Sequence, residues 1–229
     1  MPTYNPSLKN IDLNETRRYA GLARYTNFPE QLLQEACTEA HILSQPKSSW
    51  NIYGYDSATA TIFAAEPLSL IGTKVMHHLT GAAQVAVLAV TIGAALEQAV
   101  SQHFSSGNYT AGMLLDAAGT TAVESATDQA VAFIAHQSTR LGYTTNWRFS
   151  PGYGDWDISV QPHILQLAEA SQINITVTNT YMLLPRKSVT AIIGLFPYQP
   201  ELNLLPVHQQ EIPCDQCIQQ HCHARKERN

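Results

Sequence analysis

The sequence is short of charge. Only 14% of its 229 residues are Asp, Glu, Lys or Arg, and they balance to a net charge of −5. A phosphate backbone is held by a basic field that displaces counterions, and this chain has none, so no nucleic-acid partner is expected. Long apolar runs are missing too. The longest, residues 85–96, falls short of the roughly 20 residues of a spanning helix, and Gly93 interrupts it. Residues 1–10 hold no apolar stretch of the kind a secretory signal needs. These absences lead to the expectation of a soluble, cytoplasmic protein with no membrane partner. Cysteine is scarce: there are four, three of them in the last sixteen positions, which does not suit a disulfide framework. No Ser-His-Asp constellation argues for hydrolysis. What remains is a 45% hydrophobic chain, long enough for one large domain, or one domain with a tail.

Hydrophobic periodicity then divides the chain. Asp12 and Glu15 stand at capping-box spacing and predict a short helix that stops at Gly21. Pro29 opens a second helix with the apolar stripe Leu32, Leu33, Ala36, Cys37, Ala40 and Leu43, in which Cys37 reads as a small buried hydrophobe. Residues 50–63 predict two short strands or one bent strand, and residues 74–79 a short helix carrying solvated His77 and His78. Residues 85–92 suit a strand covered on both faces. Thr91-Ile92-Gly93 then turns into a helix over 94–104, an arrangement that could aim backbone N–H groups at a polar ligand.

From 111 to 141 runs the longest helical pattern. Ala118, Ala122, Ala126 and Ala130 form a four-residue ladder closed by Ile134, so another backbone should approach that face closely. Glu124 and Asp128 lie beside the ladder, and spacing alone favours a solvated acidic face for them. Pro162 opens a helix through 167, and residues 173–178, 181–184 and 189–196 read as strands. The connection Pro185-Arg186-Lys187-Ser188 carries two cations that either solvate a hairpin tip or face an acidic partner. The expected fold class is α+β, a curved, mostly antiparallel sheet with helices packed around it, over residues 1–196. Residues 197–213, with four prolines, read as a linker, and residues 214–229 as a Cys-rich tail.

One stretch interrupts these patterns: Arg148-Phe149-Ser150-Pro151-Gly152-Tyr153-Gly154-Asp155-Trp156. Gly152 and Gly154 permit a left-handed backbone and close approach to a ligand, and Pro151 pushes Ser150 toward an extended conformation. Arg148 is a planar fork suited to a carboxylate, Ser150 a small donor and acceptor, and Tyr153 and Trp156 flat faces with a polar handle, expected at an open surface. A structural turn capped by aromatics is the plain alternative.

This loop resembles the S-adenosylmethionine-binding motif, Arg-x-Ala/Ser-Pro-Gly-Tyr, of the activation domain of vitamin B12-dependent methionine synthase. Further pieces match in the same order: Arg17-Arg18-Tyr19-Ala20-Gly21, Thr91-Ile92-Gly93 with Glu97, Leu114-Leu115-Asp116-Ala117-Ala118-Gly119, and Pro185-Arg186-Lys187-Ser188-Val189-Thr190-Ala191. The resemblance implies a free-standing activation subunit that binds S-adenosylmethionine, with Arg148 on its carboxylate and Glu124 on its amino group. Ser150, Pro151, Gly152 and Tyr153 would then line the adenosine portion. It implies no catalytic side chain of the chain's own. Its role would be the reductive methylation of cob(II)alamin on a separate corrinoid-binding methionine synthase that lacks this domain, fed by a low-potential donor such as a flavodoxin or ferredoxin. No Asp-x-His-x-x-Gly corrinoid motif is present, so the cobalamin would sit on that partner. Two departures stand out: the N-terminal aspartate motif of the long enzymes is not recognisable, and Phe196 stands where they place a tyrosine near the ligand.

The tail offers Cys214, Cys217 and Cys222, flanked by His221 and His223. A Cys3His zinc site is chemically feasible, and an iron–sulfur cluster would need a fourth cysteine, for which only Cys37 is available. A redox dithiol and a tail without metal remain open. The alternatives to an activation subunit are a redox or electron-transfer protein working through this tail, and a regulatory S-adenosylmethionine sensor.

Overall fold

A computed structural model describes residues 3–25 and 27–198. Nearly all of the expected linker, and the tail with Cys214, Cys217 and Cys222, lie outside the described residues.

The first two helices begin where the sequence supplies a start signal. The Asp12 carboxylate accepts from the Glu15 N–H at 2.8 Å and opens α1 (Leu13–Tyr19). Pro29 precedes α2 (Glu30–Leu43), which buries Leu33, Ala36, Cys37 and Ala40, while Leu32 stays 38% exposed at the margin of the predicted stripe. The remaining helices are α3 (Thr73–His78), α4 (Ala95–Ser105), α5 (Tyr109–Arg140) and α6 (Gln161–Leu167). Among the described residues no helix is long and apolar enough to cross a membrane.

The strands are β1 (Thr3–Tyr4), β2 (Lys47–Asp56), β3 (Thr61–Phe63), β4 (Leu68–Ser69), β5 (Gln84–Thr91), β6 (Tyr143–Thr145), β7 (Thr176–Val177), β8 (Leu183–Leu184) and β9 (Ser188–Pro197). The main sheet runs β4-β3-β2-β5-β9-β6. β1 and β3 share the outer edge of β2, at Ser48–Ser49 and Gly54–Asp56 respectively. Every pairing is antiparallel, so the α+β class with a mostly antiparallel sheet and helices packed around it is observed as expected. Residues 50–63 resolve into one long strand and one short one. Two expected strands shrink to β7 and β8, a separate two-residue ribbon. The cause is local: Asn174 and Tyr181 take left-handed φ of 59° and 63°, which breaks extended backbone, and residues 170–173 coil into a 3-10 turn instead.

Both faces of the central strands are covered. On one face Ala86, Leu88, Val90, Ala191, Ile193 and Leu195 meet the α5 ladder Ala118, Ala122, Ala126, Ala130 and Ile134. Alanines let the helix axis sit close to the sheet, as their spacing predicted. On the other face Val85, Val87, Ala89 and Ile192 meet Phe149, Trp156, Ile164 and Ile173, contributed by the 146–160 loop, α6 and the 3-10 turn. That second layer holds the Arg148 loop against β9.

Candidate functional site

The loop is fixed to the sheet through β9. Asn146 Nδ2 donates to the His78 carbonyl at 2.7 Å, and its Oδ1 accepts from the Gly194 N–H at 2.8 Å. Phe149 and Ile192 then exchange both backbone hydrogen bonds at 2.9 Å. Continuing that register would set Pro151 against Thr190, and a proline there has no N–H to give, so the ladder stops. The chain turns outward instead: Gly152 and Gly154 take φ of 89° and 61°, conformations that a side chain would disfavour. The Gly152 N–H donates to the Trp156 carbonyl at 2.8 Å and closes the loop on itself.

Two anchors hold it from the far side. Trp156 is 3% exposed and sits in the core with Phe149, which overturns the expectation that it faces solvent. The indole offers so much apolar area that the surrounding fold buries it. Asp155 caps α3, whose own cap position is Gly72 and has no side chain to offer. Its carboxylate accepts from the Thr73 hydroxyl at 2.5 Å and from the Thr73 and Lys74 N–H groups at 2.7 and 3.0 Å. The Thr73 hydroxyl first, and the helix amides after it, hold the Asp155 carboxyl down to about 2.

Of the candidate ligand residues, the structure brings Arg148 and Glu124 together. Arg148 Nη2 lies 2.5 Å from Glu124 Oε2 on α5 and 3.5 Å from Asp128 Oδ1, one helical turn further on. Burial works against the charged guanidinium, but Glu124, then Asp128 and Tyr153, more than offset it and raise its pKa above the ordinary arginine range. Glu124 and Asp128 are therefore no plain solvated face. Tyr19, at the end of α1, also feels Glu124: burial first, and that carboxylate second, push its phenol up. Ser150 and Pro151 are buried, Gly152 is exposed and Tyr153 is 47% exposed with its ring edge-on to Phe149. The Ser150 hydroxyl is buried with no hydrogen-bond partner among the described residues. Phe196 packs from β9 into the cluster beneath the loop.

Other expectations need correcting. His78 is not solvated: its ring packs against Trp147 and Phe149 at 4.2 and 5.1 Å, its Nε2 is buried without a partner among the described residues, and burial lowers its pKa to about 4. His77 is exposed, since neighbours on a helix point apart. The Thr91–Gly93 turn spends two backbone donors internally, Ile92 N–H on the Lys187 carbonyl and Gly93 N–H on the Thr91 hydroxyl. Arg186 and Lys187 find acids within the chain: Lys187 Nζ lies 2.9 Å from Asp116 and Arg186 Nε 3.6 Å from Glu97. Sequence reasoning missed Asp155 as a clamp and Asn146 as a splice. The only available signal was that Gly72, a poor cap, precedes a helix. Among the described residues no group of three or more His, Cys, Asp or Glu is placed to hold a metal ion.

No protein-family model and no curated protein matches the chain. Among solved structures it is similar to the crystal structure of the MetH reactivation domain bound to AdoHcy, with a TM-score of 0.57 and 12% sequence identity, covering 94% of this chain and 83% of that one. What the two share is the fold: a mostly antiparallel sheet with helices packed around it, followed over nearly the whole length of this chain.

Proposed function

We propose that the chain binds S-adenosylmethionine between the Arg148–Tyr153 loop and α5, and presents it to a corrinoid carried on a separate polypeptide. The observation that carries this reading is the Arg148–Glu124 pair: a cation and an anion 24 positions apart in sequence, held 2.5 Å apart and only partly covered, at 17% and 32% side-chain exposure. An amino-acid zwitterion suits both at once, its carboxylate replacing Glu124 on the guanidinium and its ammonium replacing Arg148 on the carboxylate. Separating a partly buried pair costs energy, and two new charge-assisted hydrogen bonds return it. The unpartnered Ser150 hydroxyl and the exposed Gly152 and Tyr153 lie on the same loop for the rest of the ligand. The fold likeness to a MetH reactivation domain bound to AdoHcy supports the same ligand class.

The ligand supplies an electrophilic methyl on its sulfonium, and the corrinoid of a methionine synthase lacking its own activation domain, reduced by a low-potential donor, would accept it. The chain's own part is positioning. Arg148 and Glu124 fix one end of the ligand, Tyr153 shields one side, and the clamped loop holds that geometry without a general base. The buried Trp156 takes no part in docking a partner.

Calorimetric titration with S-adenosylmethionine tests the reading. Binding should be saturable, and Arg148→Ala should weaken it by about 1.5–3 kcal/mol, the range for a hydrogen bond to a charged group. Unchanged affinity in that variant removes the site. Addition of protein, ligand and reductant to a corrinoid-loaded methionine synthase without its activation domain should change the corrinoid spectrum. Measurable ligand binding with no spectral change would leave a sensor rather than an activation subunit.

A further inference from the structure

The N-terminal half of α5 carries a second cation–carboxylate cluster, which the Arg148 site does not use. Lys187 Nζ lies 2.9 Å from Asp116 Oδ1 and 2.8 Å from the Thr120 hydroxyl, while its backbone N–H donates to Glu97 at 3.2 Å. Beside this cluster, where the end of α1, α4, α5 and the turn before β9 converge, opens a cavity of about 420 Å³. That is the size of a small-molecule pocket, roughly 300–1,000 Å³. One wall is apolar, with Val100 and Ala117 buried at its base and Phe104 and Met113 left 44% and 40% exposed above them. The rim carries opposite charges. Asp116 and Arg186 line it with opposite signs, and their side chains are 48% and 57% exposed, so each charge still faces solvent beside its partner within the chain.

We propose that this cavity binds a free α-amino acid with an apolar side chain. Its carboxylate would lie on the Arg186 fork, its ammonium on Asp116 and its side chain against Phe104 and Met113. The charge pattern selects against other small ligands. A dianion would meet Asp116 and Glu97, a simple cation would meet Arg186 and Lys187, and a neutral apolar molecule would gain nothing from either charge. Asp116 lies eight residues before Glu124, about 12 Å along the helix, so this is a separate site and does not depend on S-adenosylmethionine binding at Arg148. Both charged groups are well exposed, so the affinity is modest, with Kd of about 1 mM.

Ligand-observed NMR and calorimetry on the full chain test this with L-methionine, L-leucine, glycine and the decarboxylated amine of methionine. L-methionine and L-leucine should bind saturably, and glycine and the amine at least about tenfold more weakly. Arg186→Ala should weaken L-methionine by a similar factor. Met113→Trp, which fills the apolar wall without touching a charge, should abolish binding while a thermal melt shows the protein folded. Arg148→Ala should change nothing. The proposal is overturned if L-methionine does not bind the wild type, if the amine binds as well as the amino acid, or if Met113→Trp binds normally. It also fails if binding disappears in Arg148→Ala, which would place the amino acid in the Arg148–Glu124 pair. Failure of S-adenosylmethionine to bind the wild type would remove the function proposed above and leave this site standing.

Discussion

The two faces of the central sheet are covered by different means. On one, a single long helix lays a ladder of alanines and one isoleucine over β5 and β9, and α1, α2 and α4 pack around it. On the other, the cover is a loop, a two-turn helix and 3-10 turns, pinned by two large aromatic side chains and by the Asp155 carboxylate that caps α3. The helical face stores its stability in regular, repeated contacts, each of which depends on small volume. The loop face concentrates it in a few anchors. The candidate ligand groups sit where the two layers meet: Glu124 and Asp128 come from the helical layer and Arg148 from the loop layer. A rigid helix thus presents fixed carboxylates, while the loop presents the cation on a backbone that is irregular yet tied down.

If the loop face really depends on few anchors, removing one should do the greatest damage. Trp156→Ala should destabilise by about 3–5 kcal/mol, the cost of deleting a buried aromatic, and should lower the thermal midpoint more than any single truncation at an exposed position. A denaturant titration measures it, and a loss below about 1 kcal/mol would mean that the loop can refill the space.

The His78 ring sharpens the contrast by pH. Its pKa falls from an ordinary 6.5 to about 4 in the folded protein because burial disfavours the imidazolium. The unfolded chain therefore binds the proton first. His78 contributes its full stabilisation above pH 6.5, loses it as the pH falls from 6.5 toward 4, and the loss levels off below 4, up to about 3 kcal/mol in all. His78→Gln should flatten that part of a stability–pH curve. A curve of unchanged slope would show that other groups dominate acid destabilisation.

On the helical face the weakness is overpacking. Ala122 is 0% exposed in the middle of the ladder, and Ala122→Leu should cost about 1–3 kcal/mol by forcing α5 away from the sheet. Because that shift moves Glu124 relative to Arg148, affinity for S-adenosylmethionine should fall with it; a stability loss with unchanged affinity would show that the pair tolerates movement of the helix.

The smallest effect is expected at Asp155, which is exposed and acts through geometry. Asp155→Asn should speed hydrogen exchange of the Thr73 and Lys74 amides and loosen the loop, with little change in the thermal midpoint. Exchange rates equal to wild type would show that the Asp155 carboxylate is no clamp on α3.

Features that rest on repetition or on local chemistry are legible in the amino-acid order. The alanine ladder of α5, the Asp12 cap, the buried Cys37 and the two-sided β5 could all be read from spacing, because a helix or a strand imposes its period on the residues that face a core. The Arg148 loop stood out as well, since Gly152 and Gly154 bracket a tyrosine in a way that regular structure does not tolerate. Tertiary structure alone decided where the single residues went. Nothing in the local sequence says that Asp155 reaches Thr73 across 82 positions, that His78 packs against Trp147 and Phe149, or that Trp156 turns inward. Spacing could not tell that Glu124 and Asp128 would meet Arg148 either, because the partner lies on another layer and the contact exists only once both layers have docked on β9. A period is a property of one element, whereas a clamp, a buried imidazole or a cation between two carboxylates is a property of how elements meet.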